Sequence, residues 1–409
     1  MPPVGLARLR RHGEPEHMDV DAVVAEVASA VGLAEGESGV RDILRAITRG
    51  EPVAARDVSR AAELPVPLVT AVCNELRKRG VVDRGRPVRL TPEGRTALGA
   101  GLAHISGQCP HCAGRGTVIP DAAASLEAKL ERLSAAVPDA KPELDQTHCT
   151  VATKIRRVLR MHDAGALDGK RIIVIGDDDL TSVALAAFAA LPGPRAQPGG
   201  RARIRRLTVV DSDPDVLAFI GAQMAGTGVE VELAEHDLRA PLPPGLVGAF
   251  DVACTDPPYT VAGAELFLSR AVSALTPDAG QHVFFSFGAR RPEETLRTQA
   301  LIAAMGLTVR ALLPGFNEYL GAGILAGTSN LFHLRSTAVT RPAVTGDYPG
   351  PLYTADMRTA ATRPYRCAGC AAVHAVGPGA TWPRISELKA SGCPECAGTV
   401  FRPMALVQR

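Results

Sequence analysis

Ile172-Ile173-Val174-Ile175-Gly176-Asp177-Asp178-Asp179-Leu180-Thr181-Ser182 is an apolar run that breaks at one glycine into three consecutive carboxylates and then into a helix start. A short apolar run bounded by a turn reads as a fully buried strand, and a strand feeding a helix through a tight turn opens a β-α-β unit. The same texture continues downstream. Arg206–Val210, Gly228–Leu233, Phe250–Cys254, Gln281–Phe287 and Leu307–Leu312 read as strands, with a last strand or pair over Ile324–Arg335. Leu180–Leu191, Pro214–Ala225, Val261–Leu275 and Pro292–Met305 read as the helices between them. Strands alternating with helices predict parallel β-α-β units in a doubly wound sheet, the α/β class.

Around that core the chain is 409 residues long, with 45 basic and 43 acidic side chains, 46% hydrophobic and 4% aromatic residues. This composition excludes a mainly disordered chain and, at this length, predicts two or three domains. A net charge of +2 does not demand a nucleic-acid partner. No apolar stretch is long enough to span a membrane, and residues 1–18 lack the apolar middle of a secretory signal, so a cytoplasmic address and no membrane partner are expected.

Upstream, Val20–Leu98 carries helical apolar spacing at 21–27 and 40–47, a helix at Val58–Ala62, a break at Leu64-Pro65, and a second helix over Pro67–Arg79. An alternating stretch with a central glycine (81–91) and a Pro-opened helix follow, the order of a winged helix-turn-helix. Arg77, Lys78 and Arg79 would face a DNA groove in one reading. The favoured reading is a packing or dimerisation module, because fold does not fix function. The expected organisation is a winged-helix domain (1–100), a Cys-x-x-Cys turn and helical connector (101–165), a Rossmann-like catalytic domain (166–340), and an extended arm with a cysteine unit (341–409).

The crevice of such a sheet lies beyond the carboxyl ends of the strands. The turn at Gly176 has one glycine and three acids, which repel a pyrophosphate, so a dinucleotide is not expected. Asp211 and Asp213 after the second strand stand where ribose hydroxyls are held, and Asp237 after the third stands where an adenine amino group is read. Asp256-Pro257-Pro258-Tyr259 follows the fourth strand: the prolines fix a rigid turn with Pro257 against the cofactor, Asp256 projects into the cleft, and Tyr259 gives a flat wall. It resembles the turn with which amino-directed methyltransferases bind an amine beside a sulfonium. S-adenosylmethionine would set its carboxylate against the triple-Asp turn. Decarboxylated S-adenosylmethionine keeps only the ammonium, which carboxylates favour.

Gly176–Ser182, Asp256–Thr260 with Gly263 and Phe267, Asn317-Glu318-Tyr319 and the segment through Asn330 to Phe332 resemble the branched-chain polyamine synthases, the N4-bis(aminopropyl)spermidine synthases. The resemblance covers roughly residues 98–334 and implies a class I methyltransferase-like fold and a homodimer. The implied activity is transfer of aminopropyl groups from decarboxylated S-adenosylmethionine to an internal amine of spermidine, releasing methylthioadenosine. It further implies that Asp177, Asp178 and Asp179 hold the aminopropyl ammonium and the acceptor, and that Asp256 orients or deprotonates the acceptor amine. A basic insertion at 191–206 and the cysteine unit depart from the compact members and leave the acceptor open.

Six of nine cysteines form three Cys-x-x-Cys pairs. Cys367/Cys370 and Cys393/Cys396 have zinc-ribbon spacing, and four thiolates leave no open position, so structural zinc is expected there. Cys109/Cys112 resembles half of a zinc site, completed by His148 and Cys149 or by the same pair of a second copy, with two reduced thiols on a turn as the alternative. Cys73 and Cys254 read as core. The rival readings are an S-adenosylmethionine-dependent methyltransferase acting on nucleic-acid or peptide amines, and a regulator that binds without turnover.

Overall fold

The computed structural model describes residues 18–98, 109, 112, 114–191, 204–288, 291–321, 327–354, 356, 362–377 and 380–404, in two compact units, the first made of the chain up to Gly114 with the short segments 289–295 and 322–328, the second of the rest. The first contains α1 (Val20–Val31), α2 (Gly36–Gly50), α3 (Ala55–Ala62), α4 (Val66–Lys78) and α5 (Pro92–Leu98), packed around Val27, Ile43, Ile47, Val58, Val72 and Leu76. Asp19 starts α1 by accepting from the Asp21 and Ala22 N–H groups. The stretch expected as a hairpin is joined through isolated antiparallel bridges, Val82 to Leu90 and Val53 to Val88. Pro87 has no N–H to extend a ladder there. The three cations at the end of α4 are engaged locally: Arg77 with Asn74 and the Asp83 carbonyl at 2.9 Å, Lys78 with Glu75 at 2.5 Å, and Arg79 with Glu75 at 2.7 Å and Glu26 at 3.1 Å.

In the second unit β1 (Lys170–Ile175), β2 (Ile204–Asp211), β3 (Val231–Glu235), β4 (Val252–Thr255), β5 (His282–Phe287), β6 (Leu307–Glu318) and β7 (Thr328–Ser336) form one sheet in the order β3-β2-β1-β4-β5-β7-β6. β1 is parallel to both β2 and β4, and β4 is parallel to β5. The sheet departs from all-parallel at one place: β7 runs antiparallel to β5 and separates it from β6. Ile172 and Val174 point into one buried layer and Ile173 and Ile175 into the other, which is why β1 is apolar at every position. The first layer takes α6 (Ala124–Ser134), α7 (Val151–Asp163), α8 (Thr181–Ala189) and α9 (Pro214–Met224). The second takes α10 (Val261–Ala274) and α11 (Pro292–Ala304), beside the segment after Arg341 through Leu352 and Tyr353. The strand order reverses between β1 and β4, which sets the crevice beyond their ends.

At the C-terminal end β8 (Arg363–Cys367), β9 (Val373–Val376) and β10 (Phe401–Pro403) make a three-stranded antiparallel sheet, with α12 (Ile385–Ser391) beside it. Among the described residues no helix is long and apolar enough to cross a membrane. Residues 192–203 of the basic insertion lie outside the described residues.

Candidate active site

The turn after β1 is built for close approach. Gly176 has φ +70°, and a Cβ there would stand 3.2 Å from Phe267 Cε1, so the glycine seats the turn against α10. The three acids that follow do three different jobs. Asp177, 1% exposed, accepts from the N–H of Thr181 at 2.7 Å and of Ser182 at 3.1 Å. It therefore starts α8, and the expectation that it holds the aminopropyl ammonium gives way to a helix cap. Burial pushes its carboxyl up to about 7 in spite of those bonds. Asp178 accepts from the Thr147 N–H at 2.9 Å, and burial together with the nearby Asp179 and Asp256 holds it well above the usual carboxylate range. Asp179, 3% exposed, accepts from the Cys149 N–H at 2.6 Å and from Arg157 Nη1 at 2.7 Å.

Arg157, from α7, is the hub. Its Nη2 donates to Asp256 Oδ2 at 2.7 Å, its Nη1 also reaches Thr181 Oγ1 at 3.2 Å, and its Nε donates to Asn317 Oδ1 at 2.8 Å. One buried guanidinium thus ties the turn after β1 to the turn after β4. Burial alone would raise Asp179, but the charges of Arg157 and Lys154 together with its hydrogen bonds outweigh it and hold the carboxyl below its ordinary value. Asp256 goes the other way. Burial lifts it to about 7, Arg157 opposes that, and the Asp179 charge adds to it. Tyr319, at the end of β6, donates to Asp256 Oδ2 at 2.5 Å and meets Ser329 Oγ at 2.8 Å. Arg157, Asp179, Thr181, Asp256, Gly176 and Ser286 line one small cavity at this point.

The turn after β4 is fixed by its own sequence. Pro257 and Pro258 are buried, Thr260 caps α10 by accepting from the Gly263 N–H at 2.8 Å, and a Cβ on Gly263 would lie 2.4 Å from the Pro258 carbonyl oxygen. Tyr259 stands edge-on to Tyr319 and Phe287, with ring centroids 6.3 and 5.7 Å away, and its hydroxyl is buried with no hydrogen-bond partner among the described residues.

After β2, Asp211 joins two turns: its carboxylate accepts from the Asp177 N–H and the Asp213 N–H, each at 2.8 Å. Asp213 departs from the expected ribose role. It caps α9, accepting from the Asp215 N–H, and its oxygens are taken by Lys141 Nζ at 2.6 Å and Gln146 Nε2 at 2.9 Å. Asp237 is exposed and accepts from the Arg239 N–H at 2.9 Å. The segment 141–149 runs across these turns, since Lys141, Gln146, Thr147 and Cys149 each donate to one of the acids. His148 reaches the Asp178 carbonyl at 2.9 Å and the Pro138 carbonyl at 2.8 Å, and Cys149 sits beside Lys154 Nζ at 3.5 Å. Neither joins a group of three or more metal-ligating side chains among the described residues.

Sequence reasoning missed Arg157. Its only signal was Lys154-Ile155-Arg156-Arg157, charged residues inside a helix that runs straight into the first strand. Lys154, Arg156 and Arg157 are all buried, an arrangement tolerated only when each cation is partnered.

The Sγ atoms of Cys367, Cys370, Cys393 and Cys396 lie within 4.8 Å of one another, with Cys367–Cys396 at 3.5 Å and Cys370–Cys393 at 3.6 Å. Four thiolates around tetrahedral zinc at about 2.3 Å need a similar edge, so the residues fit structural zinc. His374 Nε2 lies 3.2 Å from Cys393 Sγ and backs the cluster. Cys109 is exposed and Cys112 buried, and neither joins a cluster of three such ligands among the described residues. Residues 110, 111 and 113 lie outside them. Cys73 and Cys254 are buried core, as expected.

The family profile described as the branched-chain polyamine synthase A C-terminal domain matches residues 126–341. An uncharacterised protein of Methanocaldococcus jannaschii is 32% identical over 92% of this chain and 91% of its own length. The N(4)-bis(aminopropyl)spermidine synthase of Thermococcus kodakarensis is 31% identical over 75% of this chain and 84% of its own. The crystal structure of the Thermus thermophilus branched-chain polyamine synthase, with N4-aminopropylspermidine and 5'-methylthioadenosine, superposes with a TM-score of 0.65 at 23% identity, over 82% of this chain and 98% of that one. The fold is therefore the Rossmann-like, methyltransferase-like one, and the chain belongs to the branched-chain polyamine synthase family.

Proposed function

We propose that this chain is an aminopropyltransferase of branched polyamine synthesis, moving aminopropyl groups from decarboxylated S-adenosylmethionine to a secondary amine of a polyamine such as spermidine and releasing 5'-methylthioadenosine. The observation that carries it is the Asp179–Arg157–Asp256 array in the crevice between β1 and β4, in a chain of this family. A secondary ammonium has no lone pair, so the acceptor must lose a proton before it attacks. Asp256, lifted to about 7, is matched to accept that proton at neutral pH. The freed nitrogen attacks the propyl carbon bonded to sulfur. The C–S bond breaks, its electron pair stays on sulfur, and the sulfonium becomes the neutral thioether of methylthioadenosine.

In this reading Asp178 receives the aminopropyl ammonium. A cation beside it favours the anion, so donor binding and proton release from Asp178 are coupled. Asp179 and Arg157 hold Asp256 in register, Tyr259 walls the acceptor, and Gly176, Asp211, Asp237 and Pro257 border the nucleoside. The four-segment organisation at 1–100, 101–165, 166–340 and 341–409, the winged-helix assignment, the cytoplasmic address and a homodimer belong to the same proposal. Light scattering of the purified protein tests the last.

The test is incubation of the full chain with decarboxylated S-adenosylmethionine and spermidine, read by mass spectrometry. Products heavier by aminopropyl units, with one methylthioadenosine released per aminopropyl group gained, are expected. Absence of both, with methylated product from S-adenosylmethionine instead, would replace this reading by amine methylation.

A further inference from the structure

A guanidinium carries five N–H groups and no acceptor, so every partner of Arg157 must accept. All five are used. Nε goes to Asn317 Oδ1 at 2.8 Å, Nη1 to Asp179 Oδ2 at 2.7 Å and Thr181 Oγ1 at 3.2 Å, and Nη2 to Asp256 Oδ2 at 2.7 Å and the Tyr319 hydroxyl oxygen at 3.2 Å. This saturation fixes the direction of each hydrogen bond beyond it. Asn317, fully buried, must turn its amide oxygen to Nε, which sends its Nδ2 to Ser329 Oγ at 2.9 Å. Ser329, also buried, accepts there and therefore donates its own proton to the Tyr319 oxygen at 2.8 Å. Tyr319 accepts from Ser329 and Arg157, and its single proton is left for Asp256 Oδ2 at 2.5 Å.

The circuit closes on one oxygen. Asp256 Oδ2 receives both Arg157 and Tyr319, which fills the two lone-pair directions of a carboxylate oxygen. A proton carried by Asp256 therefore sits on Oδ1. The charged and titratable groups that face this carboxyl are Arg157 from α7, Asp178 and Asp179 from the turn after β1, Tyr319 just after β6, and Tyr259 from its own turn. Burial and the Asp179 charge raise the carboxyl, while Arg157 and the Tyr319 hydroxyl oppose them. The share of Tyr319 comes through a single hydrogen bond, whose strength follows the acidity of the phenol.

We propose that Tyr319 is a positioning residue of the transfer step: its hydroxyl, oriented by Asn317 and Ser329, donates to Asp256 Oδ2 and so fixes Oδ1 as the oxygen that takes the acceptor's proton. The acceptor ammonium gives that proton to Oδ1, the N–H electron pair stays on nitrogen for the attack on carbon, and Tyr319 keeps its own proton throughout. The same bond tunes the base, because a donor to the charged form favours that form. The inference rests on the aminopropyl-transfer reading.

The test is the pH profile of kcat/KM for spermidine in the full chain, with two replacements of opposite sign. Tyr319→Phe keeps the ring and its edge contact with Tyr259, at 6.3 Å between centroids, and removes only the donor. Its acid limb should move to higher pH by about one unit or more, the worth of one hydrogen bond to a charged group. Replacement of Tyr319 by fluorotyrosine keeps every bond and strengthens the donor, so its limb should move to lower pH. It carries the test if the phenylalanine variant fails to fold. A limb that the fluorotyrosine leaves in place, or activity lost evenly across pH in Tyr319→Phe, would overturn the proposal, since a purely structural hydroxyl predicts both. A second readout needs no turnover: carbon NMR titration of the Asp256 carboxyl, assigned by its missing signal in Asp256→Asn, should shift up in the first protein and down in the second. No aminopropylated product from the wild type would contradict the aminopropyl-transfer reading, and the part of Tyr319 in transfer with it. Product from the wild type with an Asp256 titration that neither replacement moves would sink the inference about Tyr319 alone.

Discussion

The turn after β1 and the turn after β4 each present one aspartate, Asp179 buried and Asp256 partly buried, to the same guanidinium, and the two are set in opposite directions. Asp179 takes Arg157 at 2.7 Å plus a backbone N–H from Cys149 and is held below its ordinary value. Asp256 takes Arg157 at 2.7 Å plus the Tyr319 hydroxyl and is lifted to about 7. One guanidinium cannot fully compensate two carboxylates in a low-dielectric site. Of the two carboxyls Asp256 therefore takes up a proton first, which is why the proposed reaction uses it to exchange protons with the substrate amine.

Asp256→Asn sharpens the contrast most. It should lower the transfer rate by about 10²- to 10⁴-fold, the usual worth of a general base, while methylthioadenosine still binds in calorimetry. Wild-type turnover in this variant would remove Asp256 from the chemistry. Asp179→Asn should act on the fold as well, because it leaves a buried guanidinium half-paired and the Cys149 N–H with a poorer acceptor. A loss of about 3–5 kcal/mol in chemical denaturation is expected. A variant as stable as wild type would show that Arg157 does not depend on Asp179.

Arg157→Gln separates the two acids by pH. In the wild type kcat/KM should rise with pH through about 7 as Asp256 loses its proton. Arg157 opposes the lift on Asp256, so its removal should move that acid limb to higher pH. An unmoved limb would assign it to another group.

Stability carries a smaller signature. Asp177 and Asp256, raised from 3.8 to about 7, hold protons when folded that the unfolded chain has lost, so stability falls as pH rises between those values. Asn at either position should flatten the slope. Chelation should unfold the four-cysteine sheet with little change in transfer rate, read by zinc release against turnover. Parallel loss of both would place the ribbon at the substrate.

Much of this was legible in the sequence. The apolar runs around Ile172–Ile175 and Val252–Cys254 marked the sheet because both faces are buried, and the Pro-Pro turn marked Asp256 because little else sets a carboxylate so rigidly. Other parts had no local signal. Asp177, Asp178 and Asp179 are chemically identical in the sequence and acquire separate roles only from a helix start, the Thr147 N–H and Arg157. Asp213 looked like a ribose ligand until Lys141 and Gln146, distant in sequence, were seen to occupy it. Arg157 is invisible for the same reason: partners more than twenty residues away decide whether a helical arginine is solvated or is the centre of a site.

The most direct test of the account is calorimetric comparison of S-adenosylmethionine with its decarboxylated form on the wild-type protein. Tight binding of the decarboxylated donor and weak binding of the intact one is predicted, because Asp178 favours the lone ammonium and disfavours a tail carboxylate. Equal affinity, or preference for S-adenosylmethionine, would contradict aminopropyl transfer as the reaction of this site.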